Sequence, residues 1–163
     1  MTFPGHSLEL AERLLAACES RALRLATAES CTGGLIAACL TEIPGSSSVV
    51  GRGYVTYDNQ AKLEMLGVAA GTIERVGAVS EEVARAMAEG ALERSGADLA
   101  IACTGIAGPG GATPTKPVGL VHLAVARRGR PTLHAREIFK GDRSAIRAAS
   151  VDAALELALG SFA

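Results

Sequence analysis

A serine stands in the segment AESCTGG at residues 28–34, between an apolar stretch that predicts a strand and one that predicts a helix. Backbone N–H groups at a helix start point outward and meet the positive end of the helix dipole. Such groups can stabilise the oxyanion that forms when a nucleophile attacks a carbonyl carbon. The segment therefore suits Ser30 as a nucleophile, with an oxyanion site formed by the backbone N–H groups of Thr32, Gly33 and Gly34.

The same residues allow two other interpretations. Ser30 or Thr32 could simply be the N-cap of the following helix, which is a common role for both residue types. Cys31 is a rival nucleophile. Adjacent side chains at a strand end point in opposite directions, so we expect only one of Ser30 and Cys31 to face a given pocket.

A serine nucleophile needs a base, and the histidines do not offer an obvious one. His6 is near the N-terminus, while His122 and His134 lie inside predicted hairpin strands. A Ser–His–Asp triad is therefore poorly supported. A lysine that burial makes neutral can act as the base instead, and Lys62 lies one turn into a short predicted helix just after a strand. The alternative is an ordinary solvated lysine on a helix surface.

A glycine-rich segment, TGIAGPGG, begins at Thr104 and opens a loop over residues 105–117. Consecutive backbone N–H groups in such a loop can form a nest for an anion such as a phosphate. The segment matches neither the Walker A nor the G-x-G-x-x-G pattern. It could also be a mobile surface loop, although 13 residues is long for a compact domain and favours a function.

Composition limits the classes of protein that fit. The chain has 163 residues, 48% of them apolar, so we expect one domain over residues 1–163. The net charge is −1 without a block of like charge, which argues against a broad nucleic-acid surface. We expect neither a secretory signal nor a membrane-spanning segment, and no membrane partner.

Four cysteines, Cys18, Cys31, Cys39 and Cys103, form no C-x-x-C pair, and no histidine stands at zinc-finger spacing from them. We expect free thiols in a reducing cytoplasm, and no metal site.

Helical and strand patterns alternate along the chain and end in a strand hairpin followed by a helix. The predicted helices cover residues 7–19, 35–41, 59–66, 80–96 and 142–159, and the predicted strands cover 22–28, 49–57, 98–104, 118–126 and 132–139. This order indicates an α/β fold, a three-layer αβα sandwich with a mixed sheet. Sites in open α/β sheets form at the carboxyl ends of strands, which selects the loops at 29–34, 57–62 and 105–116.

Six segments in order make the chain recognisable. They are AESCTGG (28–34), AKLEMLGV (61–68), GAVSEEVARAMAEGA (77–91), TGIAGPGG (104–111), KPVG (116–119) and GDR (141–143). Together they resemble the C-terminal domain family of the competence/damage-inducible protein CinA, in its stand-alone form. The resemblance covers roughly residues 7–160.

The resemblance implies hydrolysis of the carboxamide of nicotinamide mononucleotide to nicotinic acid mononucleotide and ammonia, without a cofactor or metal. It implies that Ser30 is the nucleophile and Lys62 its partner, with Tyr57 nearby. The substrate would be held by Thr32, Gly33, Gly34, Thr104, Gly105, Gly108 and Arg143. We expect a homodimer. Alternatives are a nucleotide-binding regulatory module without turnover and a hydrolase of another small amide.

Overall fold

The computed structural model describes residues 3–163, and within them the chain forms six α-helices and five β-strands. Their order is α1 (Gly5–Glu19), β1 (Leu25–Glu29), α2 (Leu35–Thr41), β2 (Val50–Val55), α3 (Asn59–Leu66), α4 (Ala70–Val76), α5 (Glu81–Ser95), β3 (Leu99–Gly105), β4 (Leu120–Arg127), β5 (Leu133–Ile138) and α6 (Arg143–Gly160). A short 3-10 helix, Ser46–Ser48, precedes β2.

The five strands form one mixed sheet in the order β2-β1-β3-β4-β5. Strands β2, β1 and β3 are parallel, whereas β4 runs antiparallel to β3 and β5 antiparallel to β4. The carboxyl ends of β1, β2 and β3 therefore meet at one edge, and Glu29, the last residue of β1, lies beside Cys103. The mixed sheet and the final hairpin confirm the predicted fold class.

Helices cover both faces of the sheet, as the sequence predicted. On one face α1, α2 and α6 pack over large side chains that include Leu25, Ile101 and Leu123. On the other face α5 crosses a floor of alanines that includes Ala28 and Ala102, with α3 and α4 packed beside it. Small side chains on this face let α5 lie close to the strands, which brings α3 near the end of β1.

The position of α3 depends on a glycine in its neighbour. A Cβ atom on Gly90, in the middle of α5, would lie 1.9 Å from the carbonyl oxygen of Leu66, the last residue of α3. Only glycine permits this approach of two backbones. At its other end α3 is capped by Asp58, whose Oδ1 accepts a hydrogen bond from Ala61 N at 2.7 Å.

Two parts of the chain differ from the sequence prediction. Strand β1 begins at Leu25 rather than Ala22, because Ala22 has a φ of +53° and Leu23 N bonds back to the carbonyl of Cys18. Helix α4 was not predicted. It buries none of its residues and contains β-branched ones, so neither periodicity nor propensity reveals it.

Candidate active site

Ser30 follows β1 at the start of a tight turn. Its backbone N–H donates to the carbonyl of Cys103 at 2.9 Å, and its own carbonyl accepts from Gly33 N at 3.0 Å. The turn needs glycine because Gly33 and Gly34 have φ values of +58° and +103°. It lies at the carboxyl edge of the parallel strands, where the sequence placed a site.

Lys62 projects from α3 toward this turn and is only 1% exposed. Its Nζ lies 3.1 Å from Ser30 Oγ, 2.8 Å from the carbonyl oxygen of Thr56 and 3.4 Å from that of Asp58. Within residues 3–163 no carboxylate lies within ion-pair distance of this nitrogen. The interpretation of Lys62 as a solvated surface lysine is therefore wrong.

Burial lowers the pKa of Lys62 below its ordinary value of 10.5, while the charges of Asp58 and Cys31 oppose the shift. The geometry shows what the neutral amine does. Two N–H groups can point at the carbonyls of Thr56 and Asp58, which leaves the nitrogen lone pair for the Ser30 hydroxyl. In the protonated form the same position holds a third N–H, which donates to Ser30 Oγ. At this distance a proton can pass between Ser30 Oγ and Lys62 Nζ.

Cys31 faces the opposite side of the sheet from Lys62. Its Sγ lies 3.6 Å from that of Cys103, and both thiols are buried against the α6 side of the sheet. The hydrogen bond between the two thiols lowers the pKa of Cys31 and raises that of Cys103. The expectation that Ser30 and Cys31 point apart is confirmed, and Ser30 is the one beside the lysine.

The helix-capping interpretation of Ser30 and Thr32 is wrong. The N-cap of α2 is Gly34, which has no side chain to offer. The free N–H groups of α2 are instead satisfied by a residue before the turn, Glu29. Its Oε1 accepts from Ile36 N at 2.8 Å and its Oε2 from Ala37 N at 3.0 Å.

Tyr57, which follows β2, meets Arg143 at the start of α6. The Arg143 guanidinium donates to Tyr57 Oη at 2.9 Å and to the carbonyl of Gly108 at 2.8 Å. One side chain thus joins the loop after β2, the glycine-rich loop and the start of α6. Tyr57 is 61% exposed, and it contacts neither Ser30 nor Lys62 through a hydrogen bond. Three segments far apart in sequence therefore converge on the Arg143 side chain.

The glycine-rich loop allows close packing of the backbone, and the one hydroxyl at its start, that of Thr104, is bonded within the protein. A Cβ on Gly105 would lie 3.1 Å from Cys31 Sγ and 2.7 Å from a methyl of Val121, so glycine lets this strand end pack beneath the turn. Thr104 is buried, and its hydroxyl donates to the carbonyl of Ala78 at 2.9 Å. That hydroxyl is already used within the protein, and so is the N–H of Ile106, which donates to the carbonyl of Leu120 at 2.9 Å.

Sequence reasoning missed three residues of the site. The carbonyl of Thr56 holds Lys62, Glu29 holds α2, and the Arg147 guanidinium of α6 donates to the carbonyls of Cys31 and Thr32, both at 3.1 Å. Glu29 had a signal, because a carboxylate ending an apolar strand must find donors. Arg147 and the Thr56 carbonyl had none, since their roles depend on tertiary placement.

Two other kinds of feature are absent from the described residues, 3–163. No group of three or more His, Cys, Asp or Glu side chains is placed to hold a metal ion there. No helix in that range has the length and apolar character needed to cross a bilayer.

Fold and site together define a three-layer α/β domain with a buried serine–lysine pair at the carboxyl ends of its parallel strands. The chain belongs to the CinA family, since the model described as "CinA C-terminal domain" matches residues 7–162.

A nicotinamide-nucleotide amidohydrolase PncC of Enterobacter agglomerans is 46% identical over 154 residues, which is 94% of each chain. A CinA-like protein of Akkermansia muciniphila is 60% identical over 125 residues, 77% of this chain and 30% of that protein. The chain spans about a third of the length of several curated relatives of this second kind.

Among solved structures, the competence/damage inducible protein CihA from Agrobacterium tumefaciens is 51% identical to this chain. The superposition has a TM-score of 0.97 and covers 100% of this chain and 99% of that one.

Proposed function

We propose that the chain hydrolyses the carboxamide of nicotinamide mononucleotide to nicotinic acid mononucleotide and ammonia. The observation that carries the proposal is the 3.1 Å approach of Lys62 Nζ to Ser30 Oγ in a buried setting that favours the neutral amine. The substrate is taken from the printed name of the Enterobacter agglomerans relative, which matches this chain along 94% of both lengths.

In the first step Ser30 Oγ attacks the carboxamide carbon while its proton passes to Lys62 Nζ. The tetrahedral intermediate carries its negative charge on the former carbonyl oxygen. We assign the stabilising donors to the N–H groups of Thr32 and Gly34, because the N–H of Gly33 already donates to the Ser30 carbonyl.

Collapse of the intermediate breaks the C–N bond, and the Lys62 ammonium gives its proton to the leaving nitrogen, which departs as ammonia. The acyl group then remains on Ser30 as an ester. Water attacks that ester, with Lys62 again accepting a proton, and the product acid leaves while Ser30 Oγ regains its hydrogen. Each cycle consumes one water and needs no cofactor.

The remainder of the substrate would lie against the glycine-rich loop. We assign its phosphate to the N–H groups of the Gly105–Gly111 loop other than that of Ile106, which donates to the Leu120 carbonyl. Arg143 would assist, and its guanidinium already bonds to the Gly108 carbonyl and Tyr57 Oη. A guanidinium has five N–H donors, so two protein contacts leave others for phosphate oxygens.

The competing class is a nucleotide-binding regulatory module with the same pocket and no turnover. Such a module gains from a charged lysine beside a phosphate. Lys62 is instead buried with a lowered pKa and touches a hydroxyl, which favours catalysis.

We further propose a single domain acting as a homodimer in the cytoplasm, where the four free cysteines stay reduced.

Ammonia release tests the proposal. The purified protein should release one ammonia for each nicotinic acid mononucleotide formed from nicotinamide mononucleotide. Asparagine, glutamine and free nicotinamide serve as other small amides in the same assay. Binding of the nucleotide without release of ammonia would support the regulatory module instead. Faster hydrolysis of another amide would mean that this amide is the substrate, and the proposed mechanism would still apply to it.

A further inference from the structure

Glu29 is the last residue of β1, immediately before the proposed nucleophile, and its side chain is fully buried. Its carboxylate accepts three hydrogen bonds. Ile36 N donates to Oε1 at 2.8 Å, and Ala37 N and Thr27 Oγ1 donate to Oε2 at 3.0 and 3.3 Å. Strand β1 and the start of α2 are thus fastened together around the turn that contains Ser30.

A buried carboxylate is an energetically unfavourable group with which to cap a helix. Burying a carboxylate is unfavourable unless donors compensate, and within residues 3–163 no Lys, Arg or His forms an ion pair with Glu29. An ordinary cap would stand at the N-cap position, as Asp58 does for α3 and Ser80 for α5. Here the N-cap is a glycine, and the cap reaches across the turn from its other side.

The hydrogen bond from Ile36 closes a ring that runs through the Glu29 side chain and the backbone of residues 29–36. Glu29 and Ile36 are joined by the 2.8 Å hydrogen bond, and the chain between them contains Ser30 and both glycines with positive φ. Glycines leave a turn free to shift, so its geometry depends on what holds the two ends. A shift of α2 relative to β1 would rotate Ser30 Oγ away from Lys62.

We propose that Glu29 is a positioning residue whose carboxylate holds the Ser30 turn in the geometry that lets Ser30 Oγ react with Lys62 as its base. The inference rests on the proposed function, since it concerns how Ser30 becomes reactive. Its effect acts through Ser30, because the carboxylate lies on the opposite face of the sheet from Lys62.

Glu29→Gln tests the proposal with almost no change in shape. An amide has one acceptor oxygen, and its NH₂ group would face a backbone N–H of α2, donor against donor. We expect kcat to fall about 10- to 100-fold, the scale of a small misplacement of a reacting group, with KM within about twofold. The acidic limb of the pH–rate profile should keep its position, because Lys62 is untouched.

A purely structural cap makes a different prediction. It would lower the melting temperature of Glu29→Gln and leave kcat per folded molecule unchanged. Leu15→Ala, in the core of α1 and away from the turn, is the control for lost stability and should keep parental kcat. Parental kcat in folded Glu29→Gln would overturn the proposal.

A second readout does not depend on the substrate. A fluorophosphonate reacts with an activated serine, and mass spectrometry gives the rate at which Ser30 is labelled. Labelling of the parent without ammonia release would contradict the proposed function and still test Glu29. Labelling of Glu29→Gln at the parental rate, or no labelling of the parent at Ser30, would overturn the proposal about Glu29.

Glu29→Asp covers the case in which Glu29→Gln does not fold. It keeps the acceptor-only carboxylate but withdraws it by one methylene, so it cannot bond to both amides of α2. We expect slower labelling of Ser30 and a lower kcat, again with an unchanged acidic limb. Parental values of both quantities in folded Glu29→Asp would equally overturn the proposal.

Discussion

The Ser30 turn (residues 30–34) and the glycine-rich loop (residues 105–117) both follow parallel strands and both depend on glycine, yet they are held very differently. The turn is fastened from two helices, by Glu29 to α2 and by Arg147 from α6. In the loop residues 106–108 are buried, but residues 109–115 are exposed. A reacting atom must be held in a fixed position for a bond to form, whereas a loop that binds a ligand can rearrange around it.

Removal of the nucleophile should have the largest effect. Ser30→Ala should lower kcat by at least about 1,000-fold, since the turn would keep its shape but lose the attacking atom. Ammonia release measures kcat, and thermal unfolding checks that the variant is folded. Near-normal turnover in Ser30→Ala would exclude a serine mechanism and direct attention to Cys31.

Lys62→Arg should be almost as damaging, by about 100-fold or more, because arginine keeps the positive charge but cannot act as a base. Lys62→Met, of similar length and uncharged, is the matched variant and should be equally inactive. A lysine that merely attracts the phosphate would leave Lys62→Arg close to normal and only Lys62→Met impaired.

The parent enzyme should also show an acidic limb that reports Lys62. The base must be neutral to accept the serine proton, so kcat should rise with pH through the lowered pKa of Lys62 and level off above it. The limb should be absent from the residual activity of Lys62→Arg. An unchanged limb in that variant would assign it to another group.

On the loop side, deletion of the substrate phosphate should cost less than either change at the turn. The nucleoside should have a kcat/KM lower by at least about tenfold. It has no phosphate and therefore cannot form the charge-assisted hydrogen bonds, which are worth about 1.5–3 kcal/mol each. Comparison of nicotinamide riboside with its nucleotide measures the difference. Equal efficiency would mean that the loop does not bind phosphate.

Cys31→Ser should have the smallest effect, within about threefold of parental kcat, since Sγ packs against Cys103 on the far face of the sheet. The assay is again ammonia release by a variant shown to be folded. Complete loss in a stably folded Cys31→Ser would mean that the thiol takes part in catalysis.

Most of the fold could be predicted because all the elements except α4 carry local signals of their own. Ser80 and Asp142 stand at the starts of two predicted helices, and in the structure each side chain accepts a hydrogen bond as the N-cap of its helix. Helix α4 was missed because it has no buried face and so no periodicity.

Only part of the candidate site could be predicted from the sequence. Turn glycines and a serine at a strand end are local patterns, so the sequence could nominate Ser30. Nothing near Lys62 shows whether it is buried, because that depends on how closely α3 approaches α5 at Gly90, 28 positions further along the chain. The three-way contact of Arg143 with Tyr57 and Gly108 is likewise invisible without the fold.

The back-to-back arrangement of Ser30 and Cys31 has a consequence for how such a site can change over evolution. Because neighbouring residues at the strand end alternate between the two faces, adding or removing one residue in β1 before this pair would turn the thiol toward Lys62 and the hydroxyl toward α6. The choice between an oxygen and a sulfur nucleophile is then set by the phase of the strand, with no substitution at either position.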